Sequence, residues 1–439
     1  MRRLNGKAGD AGSSGRAIVV HPVLRNRGSS ARPPEVCLVE AVGLAVAIAL
    51  DVVAQDCLRV KRVHPATLFG GGALDDVAAL VADEAADLVV VDGALTPVQQ
   101  RNLERRWAVK VIDRTGLILE IFGDRARTRE GQLQVELAHL SYQRSRLVRS
   151  WTHLERQRGG AGFMGGPGES QIELDRRQID ERIVRLKKDL RAVRRTRSLH
   201  RDARARVSYP TVALVGYTNA GKSTLFNRLA RADVVATDLL FATLDPTMRQ
   251  IDLGGGRKAI LSDTVGFISD LPTHLVAAFH ATLEEVEAAE VILHVRDAAH
   301  PDSDAQRDDV VSVMADLGID AVHDDRIIDV FNKVDLLTPA DTAVVANRTA
   351  RRPTAVGVSA LTGQGLEGLL AAIADRLDVG RRVVDVCIEL ADGRTIAWLH
   401  ENGAVLQRHD DDGFAHIRVS LDPADLARLE DRRGRISQT

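Results

Sequence analysis

Apolar runs alternate with charged, helix-like stretches along the first quarter of the chain. Short runs such as AIVV, DLVVVDG and VKVID are separated by helical patterns at residues 75–85 and 96–106. This alternation is typical of a small α/β domain. We therefore predict an N-terminal α/β domain over residues 16–116, preceded by a polar, Gly/Ser-rich segment at residues 1–15 that we expect to be disordered.

A helical pattern dominates residues 117–206. Proline is absent from about residue 117 to 158, and four leucines at 133, 137, 140 and 147 share one helical face there. A glycine-rich loop follows, and apolar positions at helical spacing then continue from residue 171 among dense charges. We predict one long helix over about residues 117–158 and a second over residues 171–206, in an antiparallel hairpin with its tip at residues 159–168.

Strand-like runs return after residue 207. The runs TVALV, KAILS, VILHV, IIDVF and AVGVS are separated by helical stretches, as in a doubly wound, mostly parallel sheet, and this domain is predicted over residues 207–378. Residues 379–439 contain the short runs RVVDVCIEL, RTIAWLHE and AHIRVS, which we interpret as strands, and a closing helix at 423–429. They form a predicted small α+β domain without a recognisable motif.

Charge is distributed unevenly, although the total is nearly balanced. The 439 residues, too many for one core, include 59 Lys and Arg against 61 Asp and Glu. Residues 125–210 alone hold about 21 basic against about 10 acidic side chains. The excess suggests a polyanionic partner for the hairpin. A solvated helical face is the alternative.

The cysteine pattern and the hydropathy of the chain indicate the cellular compartment in which the protein is expected. Cys37, Cys57 and Cys387 are far apart and lack CxxC spacing, which favours reduced thiols and argues against a zinc site. The most apolar run, residues 41–50, is too short to span a bilayer, and the first residues lack a signal-peptide core. We expect a cytoplasmic protein without membrane insertion, and peripheral membrane association of a fraction stays open.

The sequence GYTNAGKS lies between an apolar strand and a helix, which is the context of a phosphate-binding loop. Its glycines let backbone amides wrap an anion at the start of the helix. Lys222 is expected to reach the β- and γ-phosphates, and Ser223 to ligate Mg²⁺. The predicted nucleotide-binding residues of this loop are Gly216, Tyr217, Thr218, Asn219, Ala220, Gly221, Lys222 and Ser223.

Three further motifs follow apolar strands in the order expected for a guanine nucleotide site. The Asp263 carboxylate can hold Mg²⁺ through water and the Gly266 amide can sense the γ-phosphate, while the Asp335 carboxylate can accept both N–H donors of guanine. A backbone donor for guanine O6 is expected at residues 359–361. The predicted site residues here are Asp263, Thr264, Val265, Gly266, Asn332, Lys333, Val334, Asp335, Ser359, Ala360 and Leu361. The motifs together indicate a GTPase.

The residue after Gly266 is Phe267, where many GTPases place a glutamine that orients the attacking water. A phenyl ring cannot orient water, so we expect slow intrinsic hydrolysis that a partner, a cation or a moving loop completes. Asn219 is a candidate ligand for a monovalent cation such as K⁺ beside the phosphates. A plain turn residue is the equally weighted alternative for Asn219.

The motifs GYTNAGKSTLFNRL, FATLDPT, DTVGFI, NKVD and SAL, together with the segment SWTHLERQRGGAGFMGGPGESQIELDRRQI, resemble the HflX family of translational GTPases. The likeness extends from about residue 17 to 377. It implies that Thr243 is the switch threonine that coordinates Mg²⁺ in the GTP state, which makes Lys222, Thr243 and Gly266 the catalytic set. The corresponding nucleotide-binding segment is Phe241, Ala242, Thr243, Leu244 and Asp245.

The resemblance also implies a biological role, namely that the protein binds the large ribosomal subunit and its rRNA and splits stalled or stress-damaged ribosomes. On this view the glycine tip approaches rRNA and Phe163 stacks on a base. The alternative is that Phe163 and Met164 pack back on the hairpin. Gly70, Gly71 and Gly72 keep the family's glycine turn, but without its lysine, which puts any ligand contact of that turn in doubt.

Two other functions remain compatible with the sequence: a GTPase checkpoint in ribosome assembly, and a regulatory GTPase whose partner is a protein. Both alternatives would use the same nucleotide-binding residues as a ribosome-splitting GTPase, so only the hairpin sequence distinguishes the three functions. A protein-docking hairpin predicts ribosome association that is insensitive to salt, whereas an rRNA-binding arm predicts steep weakening with salt. GTP and GDP are the expected ligands, DNA is not an expected partner, and a monomer is the default.

Overall fold

Two compact units make up the folded chain in this computed structural model. The structure describes residues 15–24, 32–157, 167–205, 209–232, 240–254, 257–270, 280–321, 323–352, 354–379, 382–421 and 423–436. The first unit contains the N-terminal domain and most of the hairpin, and it includes Thr237–Asp245 and Asp270–His280. The second unit contains the remainder, from Thr196 onward.

The N-terminal domain is built on a four-stranded parallel sheet. Its strands are β1 (Arg16–Leu24), β2 (Asp51–Val60), β3 (Leu88–Val91) and β4 (Lys110–Asp113), in the order β2-β1-β3-β4. Strands β1 and β3 lie at the centre; β3 and residues 17–20 of β1 consist of buried aliphatic residues, which is the pattern of strands covered on both faces. The predicted α/β domain is confirmed. Apolar runs do not predict β2, because many of its residues are polar or exposed.

Three helices connect these strands, α1 (Pro34–Ala47), α2 (Gly71–Asp83) and α3 (Pro97–Trp107), and a fourth, α4 (Arg114–Arg125), follows β4. The apolar run at residues 41–50 lies largely in α1, where Ala41, Leu44 and Ala45 are buried. The start of α3 is fixed by a capping box, in which Thr96 accepts from the Gln99 amide and the Gln99 side chain accepts from the Thr96 amide. Gly70 precedes α2, so the glycine turn forms a helix start.

Buried charges at the carboxyl edge of this sheet are paired. Arg114 donates to Asp92 (2.6 Å) and to Glu40 (2.5 Å), and the His21 ring lies 2.7 Å from the second Asp92 oxygen. Burial alone would raise the pKa of Asp92, but the hydrogen bonds from His21 and Arg114 outweigh it and lower that pKa. The cluster ties β1, β3, α1 and α4 together.

The hairpin consists of α5 (Arg129–Gln157) and α6 (Pro167–Ala205). Leu133 packs with Leu186 and Leu190 in a small core, and salt bridges join Arg144 to Asp180 at 2.8 Å and Arg182 to Glu136 at 2.7 Å. The later residue of α5, Arg144, pairs with the earlier residue of α6, Asp180, and the earlier Glu136 pairs with the later Arg182. This order confirms the antiparallel hairpin. Of the predicted tip at residues 159–168, residues 159–166, with Phe163 and Met164, lie outside the described residues, and Pro167 and Gly168 begin α6.

The prediction of one helix from residue 117 is wrong, because the helical segment is divided in two. Helix α4 begins at Arg114, where the Asp113 carboxylate accepts from the Gly116 amide (2.8 Å), and it ends as Ala126 adopts an extended conformation. Helix α5 restarts after Thr128, whose hydroxyl accepts from the Gly131 amide at 3.0 Å. Polar caps therefore separate a helix of the N-terminal domain from the hairpin.

The hairpin is fastened to the N-terminal domain through the same aspartate. Tyr142 Oη and Arg146 Nη2 of α5 each donate to an oxygen of Asp113, both at 2.6 Å. The Arg146 guanidinium also lies 4.2 Å from the centre of the Tyr142 ring. Burial, and then the Asp113 carboxylate, raise the pKa of Tyr142. The phenol therefore stays a hydrogen-bond donor across the physiological range.

A six-stranded sheet forms the GTPase domain, in the order β10-β9-β8-β5-β7-β6. All neighbouring strands are parallel except β6, which is antiparallel to β7. The strands are β5 (Thr211–Gly216), β6 (Thr247–Gly254), β7 (Arg257–Asp263), β8 (Val291–Asp297), β9 (Ile327–Asn332) and β10 (Ala355–Gly357). The helices are α7 (Lys222–Ala230), α8 (His280–Glu287), α9 (Ser303–Asp316), α10 (Pro339–Arg351) and α11 (Leu366–Leu377). The predicted doubly wound sheet is confirmed.

The C-terminal domain is an antiparallel sheet of three strands with two helices. Its elements are β11 (Arg382–Glu389), α12 (Gly393–Asn402), β12 (Ala404–Asp411), β13 (Phe414–Leu421) and α13 (Pro423–Ile436), with strand order β11-β13-β12. The run RTIAWLHE, predicted as a strand, lies in α12. Asp392 caps this helix by accepting from the Thr395 amide (3.1 Å), and Thr395, Ile396 and Leu399 are buried at helical spacing.

Candidate functional site

The loop from Gly216 to Ser223 joins strand β5 to helix α7 at the carboxyl edge of the sheet. Gly221 adopts a left-handed conformation (φ 89°) at the N-cap of α7, and a Cβ there would lie 2.2 Å from the Asn332 amide nitrogen. Only glycine satisfies both constraints. The loop therefore presents backbone amides and a helix start at one point, which is the geometry of an anion site.

Lys222 is buried in this loop. Its ammonium donates to the carbonyl oxygens of Gly216 (3.1 Å) and Tyr217 (2.8 Å). Burial lowers the pKa of Lys222 to about 8, and the Asp263 carboxylate acts in the opposite direction. A lysine whose charge is poorly solvated gains strongly from a phosphate anion.

Hard oxygen ligands lie side by side next to the lysine. Ser223 Oγ donates to an Asp263 carboxylate oxygen at 2.7 Å, and Asp263 is fully buried at the end of β7. Thr264 follows and donates from its hydroxyl to the Leu214 carbonyl at 2.5 Å, which fixes the strand end. A hydroxyl and a carboxylate suit Mg²⁺, so the donor set fits the ion that the motifs predict.

The base-recognition motifs meet the phosphate loop through Asn332. Its amide nitrogen donates to the Ala220 carbonyl (2.8 Å), and its amide oxygen accepts from the Ala360 amide (3.0 Å). Lys333 adopts a left-handed conformation, and its ammonium lies 2.7 Å from Asp297. Buried Asn332 therefore connects three of the predicted motifs.

Two of the remaining base-site residues are exposed, and a third is buried. Asp335 is exposed in a short 3₁₀ turn, Val334–Leu336, and Leu361 is exposed as well. Ser359 is buried, and its hydroxyl accepts from the Thr362 amide at 3.0 Å. Asp297, the partner of Lys333, was not among the predicted residues, although its place at the carboxyl end of β8 was a usable signal.

Replacing Asn332 with alanine should destabilise the GTPase domain and weaken nucleotide binding together. The Ala220 carbonyl and the Ala360 amide would each lose a buried partner, so we expect the free energy of unfolding to fall by about 2–4 kcal/mol. Urea unfolding and a GDP titration measure the two effects. Asn402→Ala is the matched control, because the Asn402 side chain donates to the Trp398 carbonyl (2.9 Å) within α12, in the C-terminal domain. Equal losses in both variants would contradict a connecting role.

Phe267 is buried, with 3% of its surface exposed. Its backbone forms an isolated parallel bridge with Tyr217 of the phosphate loop. The ring is therefore part of the domain's interior, which agrees with the sequence argument that Phe267 does not orient water. Asn219 is exposed in a left-handed conformation (φ 59°), a geometry that serves a turn; its K⁺ ligation stays a prediction.

The predicted switch segment at residues 241–245 belongs to the first compact unit. Phe241 is buried and meets Phe122 of α4 edge-on, with ring centroids 4.9 Å apart. The Asp245 carboxylate accepts from the Arg127 amide (2.9 Å), the Thr128 amide (2.8 Å) and the Thr128 hydroxyl (2.5 Å). Asp245 therefore caps the hairpin helix α5 in this structure. Roles for Thr243 in Mg²⁺ binding and for this segment in nucleotide binding stay predictions.

Exposed basic side chains outnumber exposed acidic ones on the described part of α6. They alternate with the buried positions Ile183, Leu186 and Leu190, so the charges point to solvent while the aliphatic residues face α5. The exposed basic residues of the described part are Arg176, Arg177, Arg182, Arg185, Lys187, Lys188, Arg191 and Arg195. Some of them share acidic neighbours, as in the pairs of Arg177 and Arg185 with Glu181.

Family models match almost the whole chain. Residues 35–123 match a model described as GTP-binding GTPase N-terminal, and residues 125–204 match the GTP-binding GTPase Middle Region. Residues 211–333 match the 50S ribosome-binding GTPase model, and residues 344–439 match the HflX C-terminal domain. The last match covers the domain in which the sequence showed no motif.

Curated relatives give the same result. The chain is 51% identical to the GTPase HflX of Magnetococcus marinus over 393 residues, which cover 89% of each chain. It is 44% identical to the GTPase HflX of Escherichia coli over 84% of this chain and 86% of that one. A crystal structure of a GTP-binding protein from Sulfolobus solfataricus in complex with GDP is 21% identical, with a TM-score of 0.44, and the match covers 82% of this chain and 98% of that one.

Proposed function

Because the chain belongs to the HflX family of GTPases, we propose that it binds the large ribosomal subunit and dissociates stalled or stress-damaged ribosomes into subunits. The observation that carries this proposal is the basic outer face of α6, on an arm that Asp113 fastens to the N-terminal domain. Such a face suits the phosphates of rRNA. The match of residues 211–333 to the 50S ribosome-binding GTPase model supports the large ribosomal subunit as the partner.

GTP with Mg²⁺ is the proposed ligand of the phosphate loop. Lys222 would bind the β- and γ-phosphates, Ser223 and Thr243 would ligate the metal, and Asp263 would hold it through water. Mg²⁺ neutralises charge that develops on the phosphoryl oxygens. Thr243 and the Gly266 amide report the γ-phosphate, so hydrolysis releases both loops and ends ribosome binding.

Catalysis is proposed to be completed on the ribosome. Phe267 is buried, and its phenyl ring cannot hydrogen-bond a water molecule. The isolated protein therefore has no group at this position that orients the attacking water. K⁺ at Asn219 is the second proposed contributor. Both proposals predict a low intrinsic rate that an added component raises.

The proposed place of action is the cytoplasm, as a monomer. Within the described residues, no helix combines the length and apolar character needed to cross a bilayer. The ribosomal partner and the reduced cysteines expected from the sequence support this location. Peripheral attachment of a fraction to a membrane is compatible with it.

The direct test measures GTP hydrolysis with and without purified large ribosomal subunits, at low and raised salt. We expect strong stimulation that salt abolishes, because an arm held by phosphate contacts loses affinity steeply with ionic strength. A 70S splitting assay with a non-hydrolysable GTP analogue then tests dissociation. Stimulation by precursor subunits only would favour an assembly checkpoint, and absence of any stimulation would favour a regulatory GTPase with a protein partner.

Charge reversal on the arm should weaken ribosome binding specifically. In Lys187→Glu/Lys188→Glu we expect lower affinity for the large subunit and a log–log salt slope smaller by about 2, since each contact contributes about one unit. Sedimentation binding at several salt concentrations measures the slope. Arg249→Glu/Lys258→Glu is the matched control, with two exposed cations on β6 and β7. An equal effect of both double variants would contradict a specific arm.

A further inference from the structure

The first residues after β7 are bonded to the phosphate loop in this structure. The Thr218 amide donates to the Phe267 carbonyl at 2.7 Å, and the Phe267 amide donates to the Gly216 carbonyl at 3.1 Å. These two bonds form the parallel bridge between Tyr217 and Phe267. Both segments lie within the second compact unit. The segment that carries Gly266 is thus held against the loop that carries Lys222.

A side-chain contact extends this bridge. The Ser269 amide donates to Tyr217 Oη at 2.8 Å, and Tyr217 is 4% exposed. The tyrosine side chain therefore extends from the phosphate loop past Phe267 to the backbone of Ser269. This bond differs from the backbone bridge because one substitution, Tyr217→Phe, removes it while the ring keeps its packing. We call the three hydrogen bonds together the latch.

The latch positions Gly266 over the phosphate-binding lysine. A Cβ on Gly266 would lie 2.9 Å from Thr218 Cα and 3.0 Å from Lys222 Nζ. An anion oxygen that bonds Lys222 Nζ needs about 2.8 Å of its own, together with the volume of its phosphoryl group. A γ-phosphate that bonded the ammonium from the side of Gly266 would therefore compete with the latched segment for space. A nucleoside diphosphate lacks that group.

We propose that the Tyr217 hydroxyl is a nucleotide-discriminating group, which holds the segment at Phe267–Ser269 in a form that accepts GDP and must open to accept GTP. The proposal rests on guanine nucleotide binding at the phosphate loop and is independent of the ribosome as partner. Tyr217 acts here as a positioning residue, since its hydroxyl bonds the protein backbone. Opening the latch for GTP costs the Ser269 bond, and GDP binding leaves that bond intact.

The test compares two affinities in full-length Tyr217→Phe without ribosomes. Titrations with GDP and with a non-hydrolysable GTP analogue, both with Mg²⁺, give the ratio of the two dissociation constants. Without the Ser269 bond, opening costs less, so the affinity for the analogue should rise about 2- to 10-fold relative to the affinity for GDP. An unchanged ratio, or weaker analogue binding, would overturn the proposal.

Tyr142→Phe is the matched control. It also removes one hydrogen bond of a mostly buried tyrosine, the 2.6 Å bond to Asp113, but in the first compact unit. We expect it to leave the ratio of affinities unchanged. If Tyr142→Phe changed the ratio of affinities as much as Tyr217→Phe does, the change would be a general effect of lost stability and would contradict the proposal.

A measurement on the unmodified protein keeps the proposal testable if Tyr217→Phe fails to fold. Amide hydrogen exchange at Ser269 should be slow with GDP and at least several-fold faster with the GTP analogue, because only the open form exposes that amide. Equal exchange with both nucleotides would overturn the latch. Neither result depends on ribosome splitting, so a failure of the latch and a failure of the proposed function are distinguishable.

Discussion

Asp335→Asn should lose GTP binding by about 10²- to 10⁴-fold and gain binding of xanthosine triphosphate. The carboxylate is exposed in the turn after β9, where it is available to two N–H donors of guanine. Each charge-assisted bond contributes about 1.5–3 kcal/mol, and the loss of both sets this range. An amide instead offers one donor, which complements the additional carbonyl oxygen of xanthine.

Competition binding with GTP and xanthosine triphosphate measures this exchange of specificity. Asp335→Ala should lose GTP and gain nothing, because it supplies neither acceptor nor donor. Asp341→Asn is the neutral control: this exposed aspartate belongs to the first turn of α10, where its carboxylate accepts from the Thr338 hydroxyl at 2.7 Å. If GTP affinity survived in Asp335→Asn, guanine recognition would have to be assigned to other residues.

The phosphate loop and the base motifs could be predicted because their chemistry is local. A glycine at φ 89°, a buried lysine and an asparagine that bridges two loops follow from short sequence motifs at strand ends. The central parallel strands of the two α/β domains, such as β3 and β8, are almost wholly buried, and they appear in the sequence as apolar runs, whereas the edge strand β2 does not. In these places local pattern and global fold agree.

Two of the features that the sequence did not predict depend on distant partners, and a third depends on a local helix cap. The division between α4 and α5 is stabilised by Asp245, which is 117 residues from Thr128 along the chain. The run RTIAWLHE combines residues common in strands with a helical burial pattern, and the cap at Asp392 selects the helix. The Tyr217–Ser269 bond joins a side chain to a backbone amide 52 residues away, for which no spacing rule exists.

Lys222→Met should abolish tight GTP binding while leaving the protein without nucleotide at least as stable as the unmodified chain. At neutral pH the folded state holds a charged ammonium in a buried site that lowers its pKa from 10.5 to about 8. That burial costs on the order of 3 kcal/mol. Methionine removes the cost but also the bonds to the Gly216 and Tyr217 carbonyls, so we expect stability between unchanged and about 3 kcal/mol higher.

The same pKa fixes the sign of the pH dependence. Between pH 8 and 10.5 the folded lysine has released its proton while the unfolded lysine retains it, so the free energy of unfolding rises with pH in this window. Lys222→Met should lack that rise, whereas Lys258→Met, a change at an exposed lysine, should keep it. Urea unfolding at pH 7 and pH 10 without nucleotide measures the difference.

In Lys222→Met, GTP affinity should fall while the free energy of unfolding without nucleotide stays unchanged or rises. A buried ammonium that pairs with phosphate contributes about 2–5 kcal/mol, so GTP affinity should fall by about 30- to 5,000-fold in Lys222→Met. Stabilisation of the protein by saturating GTP should disappear with it, since ligand stabilisation depends on the ratio of concentration to dissociation constant. A variant that was clearly less stable without nucleotide would show that the lysine is a structural element of the loop. A variant that was stable and inactive would show that the fold tolerates a buried charge for the sake of phosphate binding.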